Sequence, residues 1–334
     1  MPPSVSIIVP CYNEQATIRL LLDAILAQNY PHSRMDVVIA DGLSQDNTLT
    51  VIAEFRKEHP SLSVIVVNNY RRTIPSSLNL AIDSAKGEII VRLDAHSMPI
   101  PEYVGRCVQT LEKGKGNCVG GVWKIRPGGE GWIARSIAAA AAHPLGVGDA
   151  MYRLTAKSGA VDTVPFGAFR RNLIEKIGGF DETLLTNEDY EFNARVRRNG
   201  GVIWLNPLIR STYIARSSYS ELAKQYWRYG YWKFRMLSRY PKTIRWRQAL
   251  PPLFVLSLLC LSLFSIFVPE IKFLVFFEVI LYLLVLAIAG IAFAIQQRTL
   301  LMAPGLVFAI LTMHFTWGSG FLWSLVSSPF TKND

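Results

Sequence analysis

In the stretch VRLDAHSMP, residues 91–99, an apolar run stops on an acid, Asp94, followed two positions later by an imidazole, His96. Three other apolar runs also end on polar groups: SVSIIVP on PCYNE at residues 10–14, MDVVIAD on Asp41, and LSVIVVNN on Asn68 and Asn69. A further acid, Asp189, sits in TNEDYEF. Carboxylates at strand ends are the donor chemistry expected for a divalent metal and a diphosphate. Taken singly, each residue has a plainer account. Asn13 and Asp46 have the chemistry of helix caps or turns, Thr186 and Asp189 have the spacing of a capping box, and His96 can merely end a strand.

The elements that must position these residues follow from periodicity. Helical spacing occupies residues 14–30, where Ile18, Leu21, Leu22, Ile25 and Leu26 fall on one side, then 47–59, and 75–87, closed by Gly87. Four continuously apolar strands alternating with helices predict an α/β fold whose parallel sheet is covered on both faces. Ligands of such sheets bind beyond the carboxyl ends of the strands, so polar groups from four strand ends line one rim. After residue 100 the pattern loosens. Residues 120–132 read as strand and turn, 133–146 as helix or loop with too much alanine to decide, and 163–182 as a strand and a helix closed at Gly178 and Gly179. Residues 186–201 read as a helix and 202–209 as a strand.

Several chemistries are excluded. The first strand–helix turn, PCYNEQAT, lacks the glycines of a dinucleotide-binding turn, and GKG at 114–116 does not fit a P-loop. No GxSxG elbow and no HExxH occurs. The four cysteines, Cys11, Cys107, Cys118 and Cys260, contain no CxxC pair and read as free thiols of a reducing compartment.

Charge and hydropathy divide the chain. Residues 249–334 hold three basic and three acidic residues, so the whole net charge of +10 lies in residues 1–248. Apolar runs at 249–268, 273–295 and 300–326 are each long enough, at about 1.5 Å per residue, to cross a bilayer. Glu278 in the second run reads as a carboxylate snorkelling to the headgroups or marking a site, and His314 in the third as a helix contact, with an acceptor role open. Ten Lys or Arg residues from Arg210 to Arg247, opposed only by Glu221, precede the first run, which predicts that residues 1–248 face the cytoplasm. Anionic lipid is the nearer partner for these cations, not nucleic acid. The opening MPPSVSIIVP has no basic n-region and does not read as a signal peptide.

The ordered set VSIIVPCYNEQATI, VVIADGLSQDNT, GEIIVRLDAHSMP, GAFRRNLIEKIGGFDE and TNEDYEFNARVRRNGG resembles the family 2 glycosyltransferases, over about residues 4–230. The membrane tail and the DAH variant are most similar to membrane-anchored bacterial exopolysaccharide enzymes of the succinoglycan type. The resemblance implies a GT-A fold, with a mostly parallel central sheet, a nucleotide-diphosphate sugar as donor, and C-terminal transmembrane helices. It implies a catalytic domain over 1–230, an interfacial basic and aromatic region over 219–248, and a membrane domain over 249–334. Pro10, Tyr12 and Glu14 would line the nucleotide pocket, and Asp41 would hydrogen-bond the base, uracil in our reading. Arg71 and Arg72 would lie near the phosphates, or form a solvated surface pair. Asp94 and His96 occupy the DxD position, where Asp94 would contact ribose or metal and His96 would replace the usual second acid. Alternate positions can turn both side chains toward one ion, and an imidazole favours Mn²⁺ over Mg²⁺.

The same resemblance makes Asp189 the base that deprotonates the acceptor hydroxyl, with Phe166, Gly167 and Glu188 in the acceptor region. QYWRYG at 225–230 is similar to the QxxRW motif of polysaccharide synthases. Gln225 and Arg228 match it, while Tyr229 stands where Trp is expected. An amphipathic helix at the bilayer surface explains the same residues. The implied function is an inverting transfer of a sugar, glucose by the succinoglycan likeness, from a UDP-sugar to a polyprenyl-diphosphate-linked oligosaccharide, at the bacterial inner membrane. A polyprenyl-phosphate sugar synthase, a processive synthase and a scaffold with a decayed site are the alternatives. Intact Asp41, Asp94 and Asp189 speak against the last.

Overall fold

The apolar runs form strands and the helically spaced segments form helices, as a computed structural model describing residues 1–154, 157–241 and 243–328 shows. Lys242, one of the ten basic residues before the first apolar run, lies outside the described residues. In chain order the first elements are β1 (Val5–Cys11), α1 (Ile18–Leu26), a 3₁₀ turn (His32–Arg34), β2 (Met35–Asp41), α2 (Thr48–Glu58), β3 (Ser63–Asn68), α3 (Ile74–Ser84) and β4 (Ile89–Arg92). Then come β5 (Met98–Pro99), α4 (Tyr103–Glu112), β6 (Cys118–Arg126), α5 (Trp132–Ala140), α6 (Pro144–Val147), α7 (Met151–Leu154), β7 (Gly159–Ala160) and β8 (Ala168–Arg170). The chain continues through α8 (Asn172–Ile177), α9 (Glu188–Arg198), β9 (Ile203–Ile214), α10 (Tyr219–Arg239), α11 (Trp246–Phe264), α12 (Ile271–Gln297) and α13 (Met302–Ser327).

Two compact units result: Met1–Lys124 with Thr155–Tyr213, and Ile125–Leu154 with Ile214–Asp334. The first holds the sheet, ordered β3-β2-β1-β4-β8-β6-β9-β5, with β7 also paired to β9. β1 to β4 pair in parallel, as the alternation of strand and helix predicts. β8 reverses the direction, pairing antiparallel with β4 and β6, and β5 and β7 pair antiparallel with β9. Successive residues of a strand point to opposite faces, and Ile7, Ile8 and Val9 are all fully buried, so both faces of the sheet are covered.

Register sets the rim. Cys11 lies opposite Asp41, and Asp41 opposite Asn68, so β1, β2 and β3 end level. Arg92 lies opposite Ile8, three residues before β1 ends, so β4 stops short of the level reached by β1, β2 and β3. Gly87 does not close α3, which ends at Ser84 with Ala85 as its cap. A Cβ at Gly87 would meet the Ser6 backbone nitrogen at 2.3 Å, so this glycine admits the close approach of β1. Gly178 does close α8, at a φ of 80°.

The second unit contains three helices long and apolar enough to cross a membrane, α11, α12 and α13. Small residues bring its helices together. A Cβ at Gly230 of α10 would meet the Trp317 carbonyl of α13 at 2.1 Å, and one at Gly320 of α13 would meet the Trp227 carbonyl of α10 at 2.4 Å. Ser257 of α11 donates to Glu278 Oε1 at 2.5 Å, a polar contact between apolar helices. His314 is a helix contact. Its Nδ1 lies 2.9 Å from the Tyr282 hydroxyl, and its Nε2 lies 2.8 Å from the Leu145 carbonyl. A carbonyl only accepts, so Nε2 carries the proton and Nδ1 accepts from tyrosine.

Candidate active site

At the level ends of β1 and β2 two loops are stitched together. The Asn13 amide donates to Ser44 Oγ, and Asn13 Oδ1 accepts from the Gln45 amide at 2.8 Å. The Glu14 amide donates to Thr48 Oγ1 at 2.8 Å. Asp46 accepts from the amides of Thr48 and Gln15, which makes it a turn acid, and Asn13 has a φ of 54°. These two residues follow their plainer account. Asp41 is fully buried at the end of β2, where its two oxygens accept from the amide of Ser44 at 2.8 Å and from its hydroxyl at 2.5 Å. Tyr12 is half-exposed, and its ring packs where Gly42 leaves room, 3.3 Å from the position a Cβ would take there. Pro10 is the partly exposed residue of β1, between buried Val9 and Cys11.

At the end of β4 stands Arg92, which the sequence reading passed over. It is 3% exposed. A buried guanidinium needs partners, and three carboxylates supply them. Nη1 donates to Asp189, Nη2 to Glu188 at 2.9 Å, and Nη2 and Nε to Asp94 Oδ1 at 3.1 and 3.3 Å. Asp94 and Asp189 therefore meet on one cation. Asp41 is two strands away across β1, roughly 10 Å at the usual strand spacing. The signal was available: a charged residue closing a strand of Ile89, Ile90 and Val91, buried on both faces, must be paired.

Asp189 is the second residue of α9, and the capping box does not form. The N-cap is Asn187 in a left-handed conformation with no side-chain cap, and Thr186 Oγ1 donates to the Leu185 carbonyl instead. Asp189 is left to face Arg92. Buried contacts fix the start of α9. Glu191, fully buried, pairs with Arg195, whose guanidinium also donates to the carbonyls of Ile177, Gly178 and Gly179. Asn79 of α3 holds the next residue, accepting from the Phe180 amide at 2.8 Å and donating to its carbonyl at 3.0 Å. The turn before α9 is thus tied to both α3 and α9.

Burial pushes the Asp189 carboxyl up to about 7; Arg92 pulls the other way, while Glu188 and Asp94 push it further up. Its side chain keeps 26% of its exposure, so a ligand can reach it. The same three carboxylates hold the Arg92 guanidinium in its charged form, against the cost of burial. Phe166 and Gly167 lie alongside. Phe166 has a φ of 50°, its carbonyl accepts from the buried Tyr103 hydroxyl at 3.2 Å, and the Gly167 carbonyl accepts from the Arg92 amide. Gly167, Arg92 and Asp189 line one small cavity with Asn193.

The remaining expected residues are placed as follows. His96 Nδ1 lies 3.0 Å from Glu14 Oε1, joining the loop after β4 to that after β1. Arg71 pairs with Glu182, whereas Arg72 is exposed at a φ of 55°. Gln225 and Arg228 stand on α10 in the second unit, where the Gln225 amide donates to the Tyr229 hydroxyl at 2.9 Å and Arg228 is exposed. No three His, Cys, Asp or Glu side chains among the described residues gather as a metal cage. The donor set still suits a divalent cation shared with a diphosphate. Asp94 Oδ2 has no protein donor among the described residues, His96 and Glu14 lie at the same rim, and three carboxylates surround a single arginine.

The comparisons with known proteins identify the family. The family model for "Glycosyl transferase family 2" matches residues 6–178. The chain is 30% identical over 272 residues to the "Dolichyl N-acetyl-alpha-D-glucosaminyl phosphate 3-beta-D-2,3-diacetamido-2,3-dideoxy-beta-D-glucuronosyltransferase" of Methanococcus voltae, covering 79% of this chain and 83% of that protein. It is 26% identical over 322 residues to the succinoglycan biosynthesis protein ExoA of Rhizobium meliloti, covering 94% and 93% of the two chains. The solved mannosyltransferase PcManGT from Pyrobaculum calidifontis, in complex with GDP-Man and Mn²⁺, shares the fold with a TM-score of 0.62 at 22% identity, over 94% of this chain and 87% of that one. The family match takes in more than half of the chain, and single relatives cover most of it, so the protein belongs to glycosyl transferase family 2 and is a glycosyltransferase of glycan or polysaccharide biosynthesis.

Proposed function

We propose that the protein is a membrane-anchored, inverting glycosyltransferase that moves a sugar from a UDP-sugar onto a polyprenyl-diphosphate-linked oligosaccharide, as a step of exopolysaccharide assembly. The observation that carries this reading is the meeting of Asp94, after β4, with Asp189, at the start of α9, on Arg92. It sets a donor-side acid beside a partly exposed carboxylate of raised proton affinity, which is the arrangement a single displacement requires.

In the proposed reaction Asp189 takes the proton of the acceptor hydroxyl. The acceptor oxygen forms its bond to the anomeric carbon as the bond to the diphosphate oxygen breaks, and that electron pair leaves with the diphosphate. Attack opposite the leaving group inverts the configuration, and no sugar–enzyme bond forms. Asp94 and His96 would hold a divalent cation, Mn²⁺ before Mg²⁺ because of the imidazole, and when bound it would neutralise charge on the leaving diphosphate.

Pro10, Tyr12, Glu14 and Asp41 would form the nucleotide pocket. Arg72, Gln225 and Arg228 would meet the phosphates, and Phe166, Gly167 and Glu188 the acceptor. The ten-cation stretch before α11 supports a cytoplasmic catalytic part and a multi-pass anchor in the inner membrane, where a lipid-linked acceptor is held. Relatives acting in succinoglycan biosynthesis and on a dolichyl-linked sugar favour this acceptor class.

The test is incubation of the purified full chain with a panel of UDP- and GDP-sugars and two acceptors, a polyprenyl-diphosphate-linked oligosaccharide and a polyprenyl phosphate, with products read by mass. Transfer from a UDP-sugar to the oligosaccharide is expected. Transfer from GDP-sugars alone, or to the bare phosphate alone, would overturn the assignment of donor or acceptor.

A further inference from the structure

β4 is a strand of four residues, and its first three, Ile89, Ile90 and Val91, are fully buried. A fold gains nothing from ending such a strand on a buried cation, since a hydrophobic residue of similar volume is usually as good for stability. The partners of Arg92 are also more than an ion pair needs: three carboxylates surround one guanidinium. The pattern of contacts is selective. Only Oδ1 of Asp189 and only Oδ1 of Asp94 accept from the guanidinium. Oδ2 of each acid is left without a protein donor among the described residues. Glu188 takes the remaining direction, through Oε1. All three guanidinium nitrogens are used, and the fork reaches acids 2, 96 and 97 positions along the chain from Arg92.

We propose that Arg92 is a positioning residue for the transfer reaction. It grips one oxygen of the acceptor-side base and one oxygen of the donor-side acid, so that a single rigid group sets the spacing between them and turns the second oxygen of each toward its substrate. This rests on the reading of Asp189 as the base. Lysine cannot take this role: an ammonium is one point charge on a flexible stem, whereas the planar fork fixes two carboxylates in a set relation. Misplacement of a reacting group by about 1 Å costs on the order of 100-fold in rate, which is the size of effect expected when the fork is lost.

The experiment uses the full chain with Asp189→Asn, Arg92→Lys, the double variant Arg92→Lys/Asp189→Asn, and the charge-balanced Arg92→Gln/Glu188→Gln. Turnover is read as UDP release from the UDP-sugar that supports transfer, and pocket integrity as UDP binding by calorimetry. The expected result is a loss of turnover of about 100-fold in Arg92→Lys and in the charge-balanced variant, with donor KM and UDP affinity within about twofold. In the Asp189→Asn background Arg92→Lys should cost far less than in the wild type, because one of the two groups it positions is gone. Turnover of wild-type size in both Arg92 variants, with Asp189→Asn inactive, would overturn the role of Arg92 alone. Unchanged turnover in Asp189→Asn would instead overturn the base beneath it. If Arg92→Lys does not fold, the charge-balanced variant decides. Unfolding of both, or a matched loss of UDP binding and turnover, would mark Arg92 as structural and overturn the proposal.

Discussion

Arg92 and Asp189, 97 positions apart, form a direct ion pair between the end of β4 and the start of α9. Through the same guanidinium Asp189 is joined to Asp94. Asp94 and Asp189 thus share one cation, and in the proposed reaction they are the donor-side and acceptor-side acids.

Asp189→Asn removes the proton acceptor but keeps shape and one hydrogen-bond acceptor for Arg92. Turnover should fall by about 1,000-fold or more, with UDP affinity within about twofold. Steady-state kinetics beside calorimetry checks this, and wild-type turnover would remove Asp189 from its role.

The raised proton affinity of Asp189 gives the pH profile its sign. A base works unprotonated, so log(kcat/KM) should rise with unit slope as pH approaches about 7 from below, then level off. Glu188 repels a charged Asp189 and so raises its pKa. Glu188→Gln should therefore shift the rising limb to lower pH, and a shift upward would contradict this electrostatic picture.

His96 is tested by the choice of metal. The wild type should prefer Mn²⁺ to Mg²⁺, and His96→Ala should narrow that preference while leaving the fold intact, since the ring is half-exposed. Identical metal dependence in the two proteins would exclude ligation by His96.

Arg195 is predicted to matter for stability. Glu191 is fully buried against it, and the guanidinium also holds three carbonyls of the turn before α9. Arg195→Ala leaves a buried carboxylate unpaired and should destabilise by about 3–5 kcal/mol, read as a lowered unfolding midpoint. Gly230→Ala should also lower it, by about 1–3 kcal/mol, because its Cβ would fall 2.1 Å from the Trp317 carbonyl.

What the sequence made legible divides along physical lines. The four parallel strands and their order of appearance came from apolar runs whose length and flanks admit one reading. The three membrane-length helices came from length alone. Side-chain pairing across long separations did not follow from local pattern. Arg92 looked like one more residue of a strand, and two of its three partners, Glu188 and Asp189, lie 96 and 97 positions on. Thr186 and Asp189 had capping spacing, yet Asn187 took a left-handed conformation and released Asp189 to the site. Gly87 looked like a helix stop because glycine often is one, whereas here it makes room for the Ser6 backbone. The contact of Glu278 with Ser257 on a neighbouring helix likewise did not follow from local pattern. The alanine-rich stretch 133–146 gave no reading because its tertiary partners, among them Met302 and His314, lie far along the chain.

The stereochemistry of the product tests the central claim most directly. With an α-linked UDP-sugar and the lipid-linked acceptor, proton NMR of the isolated product reads the anomeric coupling of the new linkage. A base on one side of the sugar and a leaving diphosphate on the other predict a β-linkage. An α-linked product would contradict the account.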